Sequence, residues 1–239
     1  MTVKNAKNIL VLTGSGVSAE SGVATFRDPD GVWARYDVSE VATPEAFAHD
    51  PHKVHAFYNE RRAGLAGVEP NRAHRALADL EAGLTARGGA LTLVTQNVDD
   101  LHERAGSKAL FHMHGELTKV RCAACAAVSV WRAPLSVETS CTTCGVAGAM
   151  RPHIVWFGEM PMYMDEIMDA LLTADLFVSI GTSGSVYPAA GFVSEARALG
   201  LPAMELNLER SENAALFTEG RYGPAGEIVP VWVDEILKG

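Results

Sequence analysis

The chain has 239 residues, of which 48% are hydrophobic and 21% are charged, as is ordinary for a globular protein with a sizeable core. A formal net charge of −9 argues against a protein that binds the phosphate backbone of nucleic acids, because such proteins need clustered lysine and arginine. The apolar run near the N-terminus ends at Thr13, too early for a signal peptide or a membrane span. We therefore expect a cytoplasmic protein with neither a nucleic-acid nor a membrane partner.

The first motif joins an apolar run over 8–12 to a series of small residues, Gly14-Ser15-Gly16-x-x-Ala19. This pattern predicts a buried parallel strand, a glycine turn and the start of a helix. In dinucleotide-binding folds the glycines let the backbone approach a pyrophosphate, and the helix N-terminus offers it free N–H groups. An ordinary strand–turn–helix of an α/β protein has the same pattern, so both interpretations stay open.

A loop follows this motif. Pro29 and Gly31 give the stretch 28–31 the chemistry of a turn, and a polar loop after a phosphate turn is a candidate lid over a ligand. Arg27 is placed to meet a phosphate, and Phe26 to stack on a ring or shield it. A surface arginine and a phenylalanine packed into the core explain these two residues equally well.

Two helical patterns come next, from Thr43 to about Gly67 and over about 71–86. In the first pattern Tyr58 and Arg61 stand at i and i+3, so they share one helix face. A phenol and a guanidinium so placed can bind a carboxylate, since arginine offers a two-pronged donor and tyrosine a third. Taken without further information, the pair is better explained as an exposed helix face with a half-buried tyrosine.

Polar residues follow three further apolar runs, 91–95, 175–180 and 201–206, each of which is expected to form a strand. These polar tips are Gln96-Asn97-Val98-Asp99, Gly181-Thr182-Ser183 and Asn207-Leu208-Glu209. Because the carboxyl ends of parallel strands line one crevice, the tips suit contacts to phosphate, ribose or a carboxamide. Asn97 or Asp99 could also cap the helix that follows.

The remaining elements are less distinctive. His114, which precedes a glycine, is a candidate general base, because the unperturbed pKa of histidine lies near the working pH. The stretch 151–159 returns to strand character, and 164–173 is expected to form an amphipathic helix. The apolar run Ile228–Val233 is expected to form a last strand.

All four cysteines fall in one short stretch. The spacing Cys122-x2-Cys125, fifteen intervening residues, then Cys141-x2-Cys144 matches a four-thiolate zinc site. Four thiolates occupy all four coordination positions of a tetrahedral ion and leave none for water or substrate, so such a site is structural. The alternative interpretation of the cysteines is a redox pair. The segment 119–150 is too short for its own core, and the metal would supply the missing stability.

These motifs together resemble one family, the sirtuins, which are NAD-dependent protein lysine deacylases. The resemblance covers essentially the whole chain and is strongest for bacterial deacylases of the CobB type. It rests on the 13–22 motif with Phe26-Arg27, on the 95–99 motif, on His114-Gly115, on the four cysteines and on the tips at 181–183 and 207–209, all in the family's order. Ser15 departs from the family pattern, which usually has alanine there; both residues are small.

The resemblance implies an α/β fold, namely a Rossmann-like parallel-sheet domain formed by 1–36, 72–118 and 151–239. A helical module at 37–71 and a zinc-binding module at 119–150 are inserted into it. NAD is implied as a consumed co-substrate, together with one structural Zn²⁺, acylated lysine segments of proteins as partners and a monomeric state. The residues implied to bind NAD are Gly14, Ser15, Gly16, Ala19, Glu20, Thr25, Phe26, Arg27, Trp33, Gln96, Asn97, Asp99, Gly181, Thr182, Ser183, Asn207, Leu208, Glu209 and Ala225.

The family's reaction implies that His114 acts as a base for a ribose hydroxyl and that nicotinamide and O-acyl-ADP-ribose are released. Tyr58 and Arg61 match the Tyr-x-x-Arg of the desuccinylase-type subclass, which implies desuccinylase and demalonylase activity besides deacetylation. The residues implied to contact the substrate peptide are Val155, Phe157, Gly158, Glu159 and Val186. Mono-ADP-ribosyl transfer is the enzymatic alternative.

Two alternatives belong to other classes of protein. A dehydrogenase is disfavoured because no strand ending in an acid follows the first glycine turn by about twenty residues. A zinc-ribbon protein that binds nucleic acid is disfavoured by the net charge of −9.

Overall fold

The structure is a computed structural model that describes residues 6–25 and 36–239. The strands of the described residues are β1 (Asn8–Thr13), β2 (Ala90–Thr95), β3 (Leu110–His112), β4 (Gly115–Cys122), β5 (Val128–Val130), β6 (Met150–Ile154), β7 (Leu176–Ile180), β8 (Ala203–Asn207) and β9 (Glu219–Tyr222). The α-helices are α1 (Val38–Val41), α2 (Pro44–His49), α3 (Pro51–Gly64), α4 (Arg72–Ala86), α5 (Leu101–Ala105), α6 (Met164–Thr173), α7 (Phe192–Ala198) and α8 (Ala225–Lys238).

A parallel sheet of six strands forms the centre of the fold, in the order β3-β2-β1-β7-β8-β9. β1 lies inside the sheet, with Asn8 opposite Ala90 and Thr13 opposite Thr95 on one side and β7 on the other. All residues of β1 after Asn8 are buried, because helices cover both faces of the sheet. This double burial explains the continuous apolar run of the strand and confirms the predicted Rossmann-like architecture.

Each face of the sheet has its own apolar core. On one face Leu80 of α4 and Trp232 of α8 belong to the cluster that contains Val11 of β1. On the other face Ile167 of α6 and Phe192 of α7 pack in a second cluster, which includes the side chains of β1 that point to that face. The helix predicted at 164–173 is confirmed as α6, and the one predicted at about 71–86 is confirmed as α4.

The predicted last strand is wrong. The run Ile228–Val233 lies inside α8, where Val229, Trp232, Val233 and Ile236 are buried. These four stand at i, i+3, i+4 and i+7, which is the spacing of one helix face, and the apolar residues between them hid that period. The last strand is instead β9, a short and mostly exposed edge strand without an apolar run.

A second, antiparallel sheet of three strands has the order β5-β4-β6. The strand character predicted for 151–159 is therefore confirmed only as far as Ile154, and this strand joins the second sheet, where Arg151 pairs with Arg121. The predicted limits of the zinc-binding module, 119 and 150, fall inside β4 and at the first residue of β6.

The helical pattern predicted from Thr43 to about Gly67 is divided into α2, α3 and a final 3-10 turn. Thr43 caps α2, and the break comes at Asp50, whose carboxylate accepts the backbone N–H of Lys53 at 3.0 Å and caps α3. Each helix has a proline in its first turn, where the missing N–H costs nothing.

Candidate functional site

The first glycine motif lies at the carboxyl end of β1, against the end of β7. The N–H groups of Gly14 and Gly16 donate to the carbonyl oxygens of Ile180 and Gly181, at 3.0 and 2.9 Å. A Cβ atom at Gly14 would lie 2.7 Å from the Gly181 oxygen, and one at Gly16 would lie 2.8 Å from it. The glycines therefore let two strand-end loops touch, a function that the sequence analysis did not foresee.

The helix predicted after this motif is wrong. Two 3-10 turns, Ser15–Val17 and Ala19–Ser21, follow β1 instead. The carboxylate of Glu20 accepts the N–H of Gly226 in the first turn of α8, next to Ala225. Glu20 and Ala225, both predicted to contact NAD, thus lie together at the same edge of the sheet, with the Glu20 carboxylate serving as a helix cap.

The buried hydroxyl of Ser18 joins this motif to the end of β2. Its Oγ accepts from Asn97 Nδ2 at 3.0 Å and donates to Asp99 Oδ2 at 3.1 Å. His74 Nε2 lies 3.3 Å from the same oxygen, and His74 Nδ1 accepts the N–H of Asn71. Nε2 consequently carries the proton, so the single donor and both acceptor sites of the Ser18 hydroxyl are used.

The carboxylate of Asp99 is buried, and burial raises its pKa. Its hydrogen bonds from Ser18 and from the N–H of Leu101 act in the opposite direction. The N-cap of α5 is Asp100, whose side chain makes no capping bond, and the Asp99 carboxylate satisfies the N–H of Leu101, the first residue of that helix, at 3.2 Å. One carboxylate oxygen thus serves α5 and the other serves Ser18, which fixes the side chain at the strand end.

His114 lies between β3 and β4, half-buried, with Nδ1 at 3.2 Å from the carbonyl oxygen of Gln96. Because a carbonyl only accepts, Nδ1 carries a proton and Nε2 of the neutral ring keeps its lone pair. Burial lowers the pKa of His114, and the bond to Gln96 partly opposes this. At neutral pH the ring is therefore in the form that a general base needs.

Two other buried histidines near this site were missed by the sequence analysis. His102 Nε2 lies 3.1 Å from Thr13 Oγ1, and its ring centroid is 4.8 Å from that of His74. Burial lowers the pKa of His74 to about 4 and that of His102 well below its usual value, so both rings stay neutral. The one signal in the sequence was their position on predicted helices beside the polar strand ends.

The tips of β7 and β8 meet at the same edge. Asn207 Nδ2 donates to the carbonyl oxygen of Thr182 at 2.7 Å, and Thr182 Oγ1 lies 2.9 Å from Ser179 Oγ. Ser183 Oγ lies 2.7 Å from Ser185 Oγ. The side chains of Leu208 and Glu209 beyond Asn207 are exposed. The structure thus brings together the four polar strand ends that the sequence analysis expected to line one crevice.

Part of the prediction falls on residues that the structure does not describe. Phe26, Arg27 and Trp33, with the candidate lid at 28–33, lie outside the described ranges. Thr25 is the last described residue before them and is half-buried.

Tyr58 and Arg61 lie in α3. The interpretation of Tyr58 as half-buried is wrong, because only 1% of the residue is exposed. Trp156 Nε1 donates to its hydroxyl oxygen at 2.9 Å, and the Arg61 guanidinium lies 5.9 Å from its ring centroid. Burial raises the pKa of Tyr58 to about 12, so the hydroxyl keeps its proton. Since tryptophan can only donate, this proton stays available for an acceptor.

Arg61 is half-buried on the same helix face. Burial lowers its pKa, while the Tyr58 hydroxyl and the charge of Asp99 act in the opposite direction. α3 thus presents a cation and a phenol, and Asp99 of the strand-end site is close enough to influence the cation.

The residues predicted to contact a peptide follow β6. The N–H groups of Val155 and Phe157 donate to the carbonyl oxygens of His114 and Ala42, both at 2.9 Å. Phe157 is 49% exposed, and the next residue, Gly158, has a φ of +91°. Val155 thus ties this segment to the candidate base.

Glu159 is held within the protein. Its carboxylate receives Arg151 Nη1 and Nη2 at 2.7 and 2.9 Å and the N–H of Trp156 at 2.9 Å. The Arg151 guanidinium lies 3.4 Å from the Trp156 ring centroid, and therefore helps to fix the indole that contacts Tyr58. Val186, the other residue predicted to contact the peptide, lies beyond the tip of β7 and is half-buried.

The four cysteines lie together at the end of the second sheet. The Sγ atoms of Cys122 and Cys144 are 3.7 Å apart, as are those of Cys125 and Cys141, and all four Sγ atoms lie within 4.8 Å of one another. Tetrahedral zinc with Zn–S bonds of about 2.3 Å places its sulfurs about 3.8 Å apart. The cluster therefore fits a structural Zn²⁺ and not a disulfide, whose sulfurs are about 2 Å apart.

Comparisons with known proteins agree with this geometry. The chain matches the model of the Sir2 family over residues 14–188. It is 60% identical over 235 residues to an NAD-dependent protein deacylase of Caulobacter vibrioides, with 98% of this chain and 99% of that protein covered. It is 53% identical over 233 residues to an NAD-dependent protein deacylase of Escherichia coli K12, with 97% of this chain and 82% of that protein covered.

Solved structures give the same result. A mutant Sir2 homologue in complex with ADP-ribose superposes with a TM-score of 0.89 at 38% identity and covers 99% of this chain and 94% of its own. A Sir2 protein bound to an acetylated peptide superposes with a TM-score of 0.79 at 26% identity, covering 97% and 94%. Among the described helices, none has the length and apolar character needed to cross a bilayer.

Proposed function

This chain belongs to the Sir2 family, and on that premise we propose that it is an NAD-dependent protein-lysine deacylase. The observation that carries the proposal is the neutral imidazole of His114, whose Nδ1–H is held by the Gln96 carbonyl at the polar strand ends. NAD, when bound, supplies a ribose carbon that becomes reactive as nicotinamide leaves. The acylated lysine, NAD and water would give the free lysine, nicotinamide and O-acyl-ADP-ribose.

The strand-end site offers the donors and acceptors that NAD needs. Asn97 and Asp99 would hold the nicotinamide end and its ribose; Ser15, Thr182 and Ser183 the phosphates or ribose; and Asn207 and Glu209 the adenosine ribose. These assignments are supported by the convergence of the four polar strand ends on one edge of the sheet. His114 Nε2 would accept the proton of a ribose hydroxyl.

We propose further that the enzyme prefers succinyl- and malonyl-lysine over acetyl-lysine. The buried Tyr58 hydroxyl has a proton to donate, and Arg61 beside it offers a cation to a carboxylate. A hydrogen bond to a charged group contributes about 1.5–3 kcal/mol, or about ten- to 150-fold in specificity. An acetyl group has no anion with which to pair.

We also propose how the segments of the chain divide the binding of NAD, the acyl group and Zn²⁺ among them. The sheet segments 1–36, 72–118 and 151–239 would hold NAD, the segment 37–71 the acyl group, and the segment 119–150 the Zn²⁺. Acylated lysine segments would bind beside 155–159 and Val186 by adding a strand, a mode that tolerates many sequences. Cysteines that are free of disulfides support a cytoplasmic location, and we propose a monomer.

The test measures nicotinamide released from NAD with a succinyl-lysine or an acetyl-lysine peptide. We expect release with both peptides, loss of deacylation in His114→Ala at unchanged melting temperature, and a much greater loss of desuccinylation than of deacetylation in Arg61→Met. Arg72→Met, a like change outside the helical module, is the control. If neither peptide stimulates release, the deacylase proposal fails; an equal loss on both peptides in Arg61→Met removes only the acyl preference.

A further inference from the structure

His112, the last residue of β3, is a buried histidine whose two ring nitrogens both face hydrogen-bond acceptors. Nδ1 lies 3.2 Å from the carbonyl oxygen of Asn97, and Nε2 lies 2.7 Å from Oε1 of Glu103. A neutral imidazole has one N–H and can serve only one of these two acceptors. The two bonds together therefore require the imidazolium form.

The surroundings of the ring favour this charge. The titratable and charged groups that face it are Glu103 and His102 of α5, Glu116 and Lys119 of β4, and Asp99 after β2. Burial alone would lower the pKa of His112, but the bond to Glu103 and the charge of Glu116 outweigh it and raise that pKa. His102 is neutral, and Lys119 is paired with Glu116 at 2.6 Å.

The bond to Asn97 is one of a pair. His112 and His114 stand two residues apart, and they hold two successive carbonyl groups, those of Asn97 and Gln96. The positive charge of His112 also favours the ionised form of the buried Asp99. One histidine of the segment is thus the candidate base, and the other supports the loop that carries the side chains assigned to NAD.

Deprotonation of the His112 imidazolium would break its hydrogen bond to the carbonyl oxygen of Asn97. The proton that remains stays on Nε2, because the Glu103 carboxylate is a stronger acceptor than a backbone carbonyl. Nδ1 would then turn a lone pair toward the carbonyl oxygen of Asn97, so the bond becomes a repulsion.

We propose that His112 is a positioning residue for NAD, with its imidazolium clamped between Glu103 and the Asn97 carbonyl. Through Asn97 and Asp99, the affinity for NAD depends on the charge of His112. This inference rests on the proposed NAD site. It predicts that NAD binds tightly while His112 is charged and more weakly as the pH rises through its pKa, which lies above the usual 6.5.

The test compares the wild type with His112→Gln and His112→Phe by measuring KM for NAD, and kcat, from pH 6 to 9.5. In the wild type KM for NAD should rise at alkaline pH. In His112→Phe it should be about tenfold higher at pH 7, with kcat changed less, because a hydrogen bond from a charged donor is lost. His112→Gln can still donate to Asn97 but cannot titrate, so its KM should be moderately raised and independent of pH.

His49→Gln makes the same chemical change at an exposed position and should follow the wild type throughout. In parallel, ¹⁵N spectra should show both His112 nitrogens protonated at pH 7. Melting temperatures identify any variant that fails to fold. If all folded variants keep the wild-type dependence of KM on pH, or if the ¹⁵N spectra show a neutral His112, the inference is overturned. If the wild type releases no nicotinamide at any pH, it is the proposed function that fails.

Discussion

The parallel-sheet domain and the zinc-binding module are stabilised by different means. Among the residues that the structure describes, twenty buried residues form one core of the sheet domain and thirteen form the other. Counted over the same residues, the cluster of the zinc-binding module has five, and two of them are the cysteines Cys122 and Cys141. Hydrophobic burial can therefore stabilise the sheet, whereas the module depends on metal coordination. The two regions are nevertheless coupled, because β4, which carries Cys122, begins directly after His114.

The largest expected effect comes from removing the metal. Zinc coordination contributes about 10–16 kcal/mol in isolated zinc-binding peptides, so chelation or Cys141→Ser should unfold the segment 119–150. Displacement of β4 should then move His114 and abolish deacylation. Zinc content, amide NMR spectra and nicotinamide release would be followed together during chelation.

Ser140→Ala, next to the same cysteine, is the matched control and should retain both zinc and activity. The spectra should keep the dispersed amide signals of the parallel sheet after the metal has gone. Full activity in metal-free protein would show that the coupling between module and site does not exist.

A smaller effect should follow from a cavity in the sheet. Leu93 of β2 is completely buried, so Leu93→Ala should lower the free energy of unfolding by about 2–5 kcal/mol. Leu172→Ala, on the exposed side of α6, should change it by less than about 0.5 kcal/mol. Urea unfolding of the zinc-loaded protein measures both. Equal losses in the two variants would mean that burial in this sheet is not what stabilises the domain.

The smallest effect should be a decrease in the free energy of unfolding at acidic pH. The folded-state pKa of His74 is about 4, below its usual value of 6.5, so between these limits the unfolded chain binds a proton that the folded protein does not. The contribution of His74 is therefore complete above pH 6.5 and is lost as the pH falls toward 4.

Urea unfolding at a series of pH values measures this dependence. His74→Gln should reduce the slope of the free energy of unfolding against pH by the amount that corresponds to about one bound proton. His52→Gln, on an exposed part of α3, should leave the pH dependence of the free energy of unfolding of the sheet domain as in the wild type. An unchanged slope in His74→Gln would contradict the neutral, buried state of this ring.

The strand ends were predictable because their signals are local. A continuous apolar run followed by small or polar residues marks a buried parallel strand and its tip, and this holds for β1, β2, β7 and β8 alike. The cysteine spacing was equally informative, since two CxxC units specify a tetrahedral site without reference to the rest of the chain.

The errors arose where the pattern was ambiguous or the decisive contact was distant. The apolar run in α8 has buried residues with helical spacing, but its apolar exposed Val231 hid that period. Conversely, β9 has no apolar run, because it is an edge strand with few buried residues. In the glycine motif, Gly14 and Gly16 are needed for contact with Gly181, which is far away in the sequence.

The sequence by itself was enough to predict the α/β class, the strand tips, the zinc ligands and the candidate base, because each of these predictions depends on neighbouring residues or on a short spacing. Only the tertiary structure decided how the side chains are used. Ser18 meets Asn97 and Asp99 across 79 and 81 residues, and Trp156 meets Tyr58 across 98. Hydrogen bonds between such distant residues have no periodic signal in the sequence, since packing of the sheet and of the modules alone brings the partners together.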